Sequence, residues 1–187
     1  MEIIYVYDGD FSKGEGGYDL IRRAASEFCR EMGFDYAPYE ICKTGKGKPY
    51  FKDFPEIHFS LSHSGSLWVC MFSLNCCGID IQQVVKKNYE KISKRVFTED
   101  EDHYVRLWGL DGFFNIWTRR EAMGKALGCG LFGDMPSTVS KNTDLEAEVS
   151  LAGGEKISFK EIEISDDIKC ACCLVNEKID SVEFRLI

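Results

Sequence analysis

Long apolar runs, histidine, proline and an excess of basic residues are all lacking or scarce in this 187-residue chain. Its 23 lysines and arginines are outnumbered by 31 aspartates and glutamates, and the formal charge of −8 argues against general nucleic-acid binding. No apolar segment approaches the length of a membrane-spanning helix. The opening residues, MEIIYVYDGD, lack the basic region of a signal peptide. We expect a cytoplasmic monomer that binds neither nucleic acid nor membrane.

Cysteine is abundant, with nine residues, whereas histidine occurs three times. Without a secretory signal, we expect free thiols in a reducing compartment. The segment CACC, 170–173, has a CxxC spacing, but a zinc site would need two more suitably spaced ligands. We favour a buried strand, IKCACCLV, in which cysteine fills core positions. A cysteine-rich zinc protein and a Cys-His thiol enzyme are the alternatives.

The spacing of apolar residues predicts a mixture of strands and helices. Strands are predicted over 2–7, 56–62, 67–74 and 76–83, and helices over 18–32 and 113–128. Thr98 and Glu101 have the spacing of a capping box, which predicts another helix start. Further strands are predicted after residue 145. The order lacks regular βαβ alternation, so we predict an α+β fold with largely antiparallel sheets.

Two short segments carry charge within apolar surroundings. In GID, 78–80, strand alternation puts Asp80 and Gln82 on the face opposite the neighbouring isoleucines, so both would point into a cleft. In FFNIWTRREAMGKALG, 113–128, Glu121 and Lys125 lie one helical turn apart. Each feature alone is more typical of a surface acid or a surface ion pair. Their combination in one chain indicates a functional site.

Four motifs occur in a specific order: GKP at 47–49, HFSLSHSG at 58–65, GID at 78–80 and WTRREAMGK at 117–125. Together they resemble the signature of the 4′-phosphopantetheinyl transferases, most closely the pseudo-dimeric type that activates surfactin synthetase. Residues 1–46 match that family poorly. The resemblance implies an α+β fold of two similar lobes, with coenzyme A in the cleft between them. The lobes would be an N-terminal lobe, 1–77, and a C-terminal lobe, 78–187, that carries the metal site.

The resemblance implies a reaction as well as a fold. The family transfers the 4′-phosphopantetheine group of coenzyme A to a serine of an apo acyl or peptidyl carrier protein and releases 3′,5′-ADP. Such chemistry needs a divalent metal, here Mg²⁺ or Mn²⁺, and cations on the phosphates. The implied metal ligands are Asp80, Glu121 and Gln82, and the implied catalytic groups are Glu121, Lys125 and Asp80. The implied coenzyme A contacts are Lys48, His63, Ser62, Lys125 and Arg120, with Lys48 and His63 on the 3′-phosphate.

Two residues depart from the family pattern. Arg120 stands where the family usually has lysine, and Gln82 stands where it often has an acid. These departures leave open a non-catalytic relative that only binds coenzyme A or a carrier protein. The basic stretch KKNYEKISKR, 86–95, is either a solvated helix face or a surface that attracts an acidic carrier protein. The sequence does not identify the carrier.

Overall fold

The computed structural model describes residues 2–11, 15–35, 37–86 and 88–187. The elements in chain order are β1 (Glu2–Asp8), α1 (Glu15–Met32), β2 (Ile41–Lys43), β3 (Pro49–Phe51), β4 (His58–Ser64), β5 (Leu67–Ser73), β6 (Cys77–Gln83), α2 (Tyr89–Val96), α3 (Glu99–Leu127), β7 (Glu148–Ser150), β8 (Lys156–Ser165), β9 (Ile168–Val175) and β10 (Val182–Leu186). Among the strand pairs described, β1 with β10 is parallel and the others are antiparallel. The predicted α+β class with mostly antiparallel sheets is confirmed.

The strands form two four-stranded sheets and a small ribbon. The first sheet has the order β10-β1-β5-β4, the second has the order β6-β9-β8-β7, and β2 pairs with β3. In the first sheet β1 pairs with β5 and β5 with β4, and in the second sheet β6 pairs with β9 and β9 with β8. Two similar lobes would show such a repeated pairing order. However, β10 lies in the first sheet, so the second half of the chain contributes to both sheets. A lobe boundary before Gly78 stays a prediction.

The two large sheets pack against each other between the two long helices. Phe28 of α1 belongs to the core on the outer side of the first sheet. Met71 and Ile79 meet in a second core between the sheets. Met123 of α3 packs with Phe159 on the far side of the second sheet. Successive side chains of a strand point to opposite faces of the sheet, and apolar residues on both faces allow each sheet to be buried on both sides.

Specific residues determine where helix α3 begins, where it bends and how closely it packs on the second sheet. The predicted capping box is confirmed, because Thr98 accepts the Glu101 N–H and the Glu101 side chain accepts the Thr98 N–H. Gly109 has φ 61° and ψ −137°, a backbone conformation that favours glycine, and the helix axis bends there. A Cβ atom at Gly78 would lie 1.9 Å from the Ala122 carbonyl oxygen. The glycine of GID therefore lets α3 lie directly on β6.

The nine cysteines are free thiols, and six of them are buried. Burial raises the pKa of the thiols of Cys70, Cys170 and Cys173. Such thiols stay protonated and unreactive, as the packing interpretation of IKCACCLV predicts. Among the residues described, no group of three or more His, Cys, Asp or Glu side chains is placed to hold a metal. Within those same ranges, no helix is long and apolar enough to cross a membrane.

Candidate active site

The site forms where an edge of the first sheet meets an edge of the second. Strand β6 is an edge strand, so its outward backbone N–H groups have no partner strand. Three serines of β4 accept them: Ser60 from Ile79 N at 3.1 Å, Ser62 from Ile81 N at 3.3 Å and Ser64 from Gln83 N at 2.8 Å. Every second side chain of HFSLSHS faces β6, which makes this arrangement possible. We call these three residues the serine ladder.

Asp80 is a buried carboxylate, 2% exposed, that accepts three hydrogen bonds. Its Oδ1 atom accepts from Ser62 Oγ at 2.7 Å and from Lys125 Nζ at 2.7 Å, and its Oδ2 atom accepts from Gln82 Nε2 at 3.1 Å. Lys125 Nζ also donates to the Ile79 carbonyl at 3.0 Å. The predicted sharing of one strand face by Asp80 and Gln82 is confirmed by their hydrogen bond.

Glu121 lies half-buried beside this cluster. Burial, and secondarily the negative charge of Asp80, raise the pKa of the Glu121 carboxyl, while Lys125 acts in the opposite direction. Glu121 makes no hydrogen bond or ion pair with any residue that the structure describes. Two neighbouring carboxylates, one of them without a donor, would be stabilised by a bound cation. Two carboxylates with an amide nearby are the type of oxygen ligands that Mg²⁺ takes, so the residues fit this metal.

A cleft extends from Lys125 to His63 along the turn between β2 and β3. One cavity of about 260 Å³ is lined by Lys46, Gly47, Lys48, Pro49, Phe59, Ser60, Leu61, Gly124, Lys125, Gly128 and Gly130. A second cavity of about 370 Å³ is lined by Phe11, Gly17, Tyr18, Ile21, Lys43, Gly47, Pro49, Leu61, His63 and Trp68. The two share Gly47, Pro49 and Leu61. An elongated ligand can therefore extend from Lys125 to His63.

The two residues expected at the 3′-phosphate lie in different cavities. Lys48 Nζ donates to the Ala126 carbonyl at 2.6 Å and to Cys76 Sγ at 3.1 Å, so it ties the β2–β3 turn to the end of α3. His63 is exposed, and its ring centroid lies 5.4 Å from that of Phe11. Their contacts with coenzyme A stay predictions.

Two lysines on the same turn were not singled out from the sequence. Lys46 lines the first cavity and Lys43 lines the second, and both side chains are exposed. The segment CKTGKGKP places three lysines within six positions around a tight turn. That density of positive charge on a turn is the signal that could have identified them.

The two arginines before Glu121 are buried rather than exposed. Arg120 donates to Glu101 Oε2 at 2.9 Å, and Glu101 Oε1 accepts from the backbone and hydroxyl of Thr138. Arg119 pairs with Glu161, and its guanidinium lies 4.2 Å from the centre of the Phe159 ring. These contacts join α3 to β8 and to the segment around Thr138, and they favour a structural role for Arg120. The predicted contact of Arg120 with coenzyme A stays a prediction.

Gly124 and Trp117 complete this part of α3. A Cβ atom at Gly124 would lie 2.5 Å from the Gly130 carbonyl oxygen, so this glycine allows the following loop to fold back on the helix. The Trp117 ring packs 5.5 Å from that of Phe113. The glycine therefore shapes the wall of the first cavity, which includes Gly130.

Comparison with known proteins identifies the family of the chain. The family model described as the 4′-phosphopantetheinyl transferase superfamily matches residues 76–173, from just before GID through most of β9. The chain belongs to this superfamily. The predicted resemblance to this family is thereby confirmed, and the matched span contains the GID and WTRREAMGK motifs with Asp80, Glu121 and Lys125.

The relatives that the chain matches include bacterial 4′-phosphopantetheinyl transferases. It is 33% identical over 138 residues to gsp of Aneurinibacillus migulanus, covering 70% of this chain and 56% of gsp. It is 30% identical over 175 residues to a 4′-phosphopantetheinyl transferase of Bacillus subtilis, covering 89% and 75%. It is 29% identical over 162 residues to Sfp of Bacillus subtilis strain 168, covering 82% and 70%. The chain thus spans between about half and three quarters of these relatives.

Proposed function

We propose that this chain transfers the 4′-phosphopantetheine group of coenzyme A to a serine of an apo acyl or peptidyl carrier protein. The serine hydroxyl gives its proton to a base, and its oxygen forms a bond to the phosphorus that carries the pantetheine arm. The bond from that phosphorus to the bridging oxygen breaks, and 3′,5′-ADP leaves with that oxygen. The observation that carries the proposal is the convergence of Asp80, Glu121 and Lys125, of which Lys125 lines one end of the cleft. The names of the relatives support it.

The proposed roles of the residues are based on their contacts. Asp80 and Glu121 would hold Mg²⁺, which would supply positive charge against the pyrophosphate. Lys125, from the same helix face as Glu121, would bind phosphate oxygens as a point charge. Gln82 donates to Asp80 through Nε2, so its amide oxygen is available to the metal or to a metal-bound water. A monomeric state and a cytoplasmic location stay predictions from the sequence.

The test is mass spectrometry of apo carrier proteins from fatty-acid, polyketide and nonribosomal-peptide systems after incubation with coenzyme A and Mg²⁺. A gain of one phosphopantetheine on a serine of at least one carrier supports the proposal. Unchanged masses across the panel, with coenzyme A still bound by the chain, would favour the non-catalytic relative.

Replacing His63 by alanine should weaken binding of coenzyme A by about 10-fold or more and leave dephospho-coenzyme A nearly unaffected. The reason is that a hydrogen bond to a charged group contributes about 1.5–3 kcal/mol, and dephospho-coenzyme A lacks the 3′-phosphate. Calorimetry with both ligands measures the difference. His103→Ala, at an exposed position of α3, is the control. Equal losses for both ligands would remove His63 from the 3′-phosphate.

The basic stretch 86–95 gives a prediction about the carrier. Lys91, Lys94 and Arg95 are exposed on α2, whereas Lys87 lies outside the described residues. Reversing Lys91 and Lys94 to glutamate should raise the KM for an acidic carrier several-fold at low salt and leave the KM for coenzyme A unchanged.

The carrier effect should shrink at high salt, because salt screens exposed charges. The control reverses Lys141 and Lys178, two exposed lysines elsewhere, and changes the net charge by the same amount. If both double variants behave alike, α2 is an ordinary solvated helix.

A further inference from the structure

Ser62 is the member of the serine ladder that also contacts the carboxylate cluster. Its Oγ atom accepts the Ile81 N–H at 3.3 Å and donates to Asp80 Oδ1 at 2.7 Å. A hydroxyl group has one proton, so this proton is committed to Asp80. Ser62 was expected, from the family resemblance, to contact coenzyme A. In the observed arrangement it has no proton left to donate to a phosphate.

The orientation of the Asp80 carboxylate depends mainly on the hydrogen bond from Ser62. Its two remaining donors, Lys125 and Gln82, are long side chains with several rotatable bonds. The proposed function also assigns both of those side chains to substrate or metal. Ser62 has a short side chain, is 6% exposed, and is itself held by the backbone of β6. It is therefore the most rigid of the three donors to the carboxylate.

We infer that Ser62 is a positioning residue. It holds Oδ1 of Asp80 in place and thereby fixes the position of the metal site relative to β4, which forms one wall of the cleft. The neighbouring residues Ser60 and Leu61 line that wall. The inference rests on the proposed function insofar as Asp80 is a metal ligand there. Residues that orient metal ligands typically change metal affinity by about 10- to 100-fold when they are removed.

The serine ladder supplies a matched control in Ser64→Ala. Ser62→Ala and Ser64→Ala each remove one side-chain acceptor between β4 and β6, but Ser62→Ala alone also removes the hydrogen bond to Asp80. A purely structural role predicts similar losses of thermal stability in both variants and unchanged metal affinity. A positioning role predicts weaker metal binding in Ser62→Ala only.

The experiment measures Mn²⁺ binding to the full chain by electron paramagnetic resonance in the presence of coenzyme A and without carrier protein. Ser62→Ala should weaken Mn²⁺ binding about 10-fold, with the control Ser64→Ala within about twofold of the wild type. Ser62→Cys keeps a weaker donor at similar size, should give an intermediate affinity, and serves if Ser62→Ala does not fold. Metal-free binding of coenzyme A should be the same in all three variants.

Two outcomes overturn the inference. One is equal Mn²⁺ affinity in the wild type and Ser62→Ala. The other is selective loss of metal-free coenzyme A binding in Ser62→Ala, which would make Ser62 a ligand contact. Failure of the proposed function would appear differently. No carrier would then gain mass, while the order of Mn²⁺ affinities among the variants would still be measurable.

Discussion

Glu121→Gln should lower the rate of phosphopantetheine transfer by about 100-fold or more while leaving the fold intact. The loss is expected because a misplaced or missing metal ligand displaces the phosphates and removes charge stabilisation of the transition state. The fold should tolerate the change because Glu121 has no hydrogen-bond partner among the residues described. Asp111→Asn, at an exposed acid on the same helix, is the control and should keep the full rate. Near-normal transfer by Glu121→Gln at ordinary Mg²⁺ would contradict the proposed metal site.

Glu121→Gln should also change the thermal stability of the protein in metal-free buffer, in a direction that the pKa of Glu121 determines. The pKa of Glu121 is raised in the folded protein, so the folded state binds its proton more tightly than the unfolded state does. The resulting contribution to stability is full below the ordinary pKa of 4.5 and is lost as pH rises through the folded pKa. Glutamine does not titrate. The variant should therefore equal or exceed the wild type in thermal stability at neutral pH.

Gly78→Ala should destabilise the fold by about 3 kcal/mol. The added Cβ atom would lie 1.9 Å from the Ala122 carbonyl oxygen and about 3 Å from the Ala126 nitrogen, so backbone of α3 must move away from β6. Because Glu121 and Lys125 are on this helix, the shift should also reduce transfer. Denaturant unfolding measures the stability, and a mass-based transfer assay measures the activity.

Gly45→Ala is the matched control for Gly78→Ala. No atom lies within 4 Å of a Cβ at Gly45, and we expect a stability within about 0.5 kcal/mol of the wild type. If Gly78→Ala were as stable as Gly45→Ala, the close packing of α3 on β6 would be wrong. Such a result would also remove the physical explanation for the glycine in GID.

Local patterns in the sequence predicted the elements and one important contact. Period-two alternation predicted that Asp80 and Gln82 lie on the same face of β6, because side chains two residues apart in a strand point to the same side of the sheet. The capping box at Thr98 was equally local, since both of its hydrogen bonds join residues three apart. Both features involve residues that are close together in the chain, so the local sequence is enough to predict them.

Other features of the site depend on residues that are far apart in sequence. The serine ladder pairs residues 19 positions apart, and Lys48 contacts a carbonyl 78 positions away. Arg119 and Arg120 are buried and pair with Glu161 and Glu101, which lie 42 and 19 positions away. The pairing of β10 with β1 likewise joins the two ends of the described chain. No local period encodes such contacts, so only the folded structure reveals them.

The most direct test of the central claim measures two products of one reaction. The full chain is incubated with coenzyme A, Mg²⁺ and a carrier panel, and both carrier mass and released 3′,5′-ADP are quantified. We predict one phosphopantetheine on the carrier serine for each 3′,5′-ADP released, and loss of both products when a chelator removes the metal. Calorimetry on the same preparation records coenzyme A binding. Tight binding of coenzyme A with neither product from any carrier would contradict the assignment as a transferase.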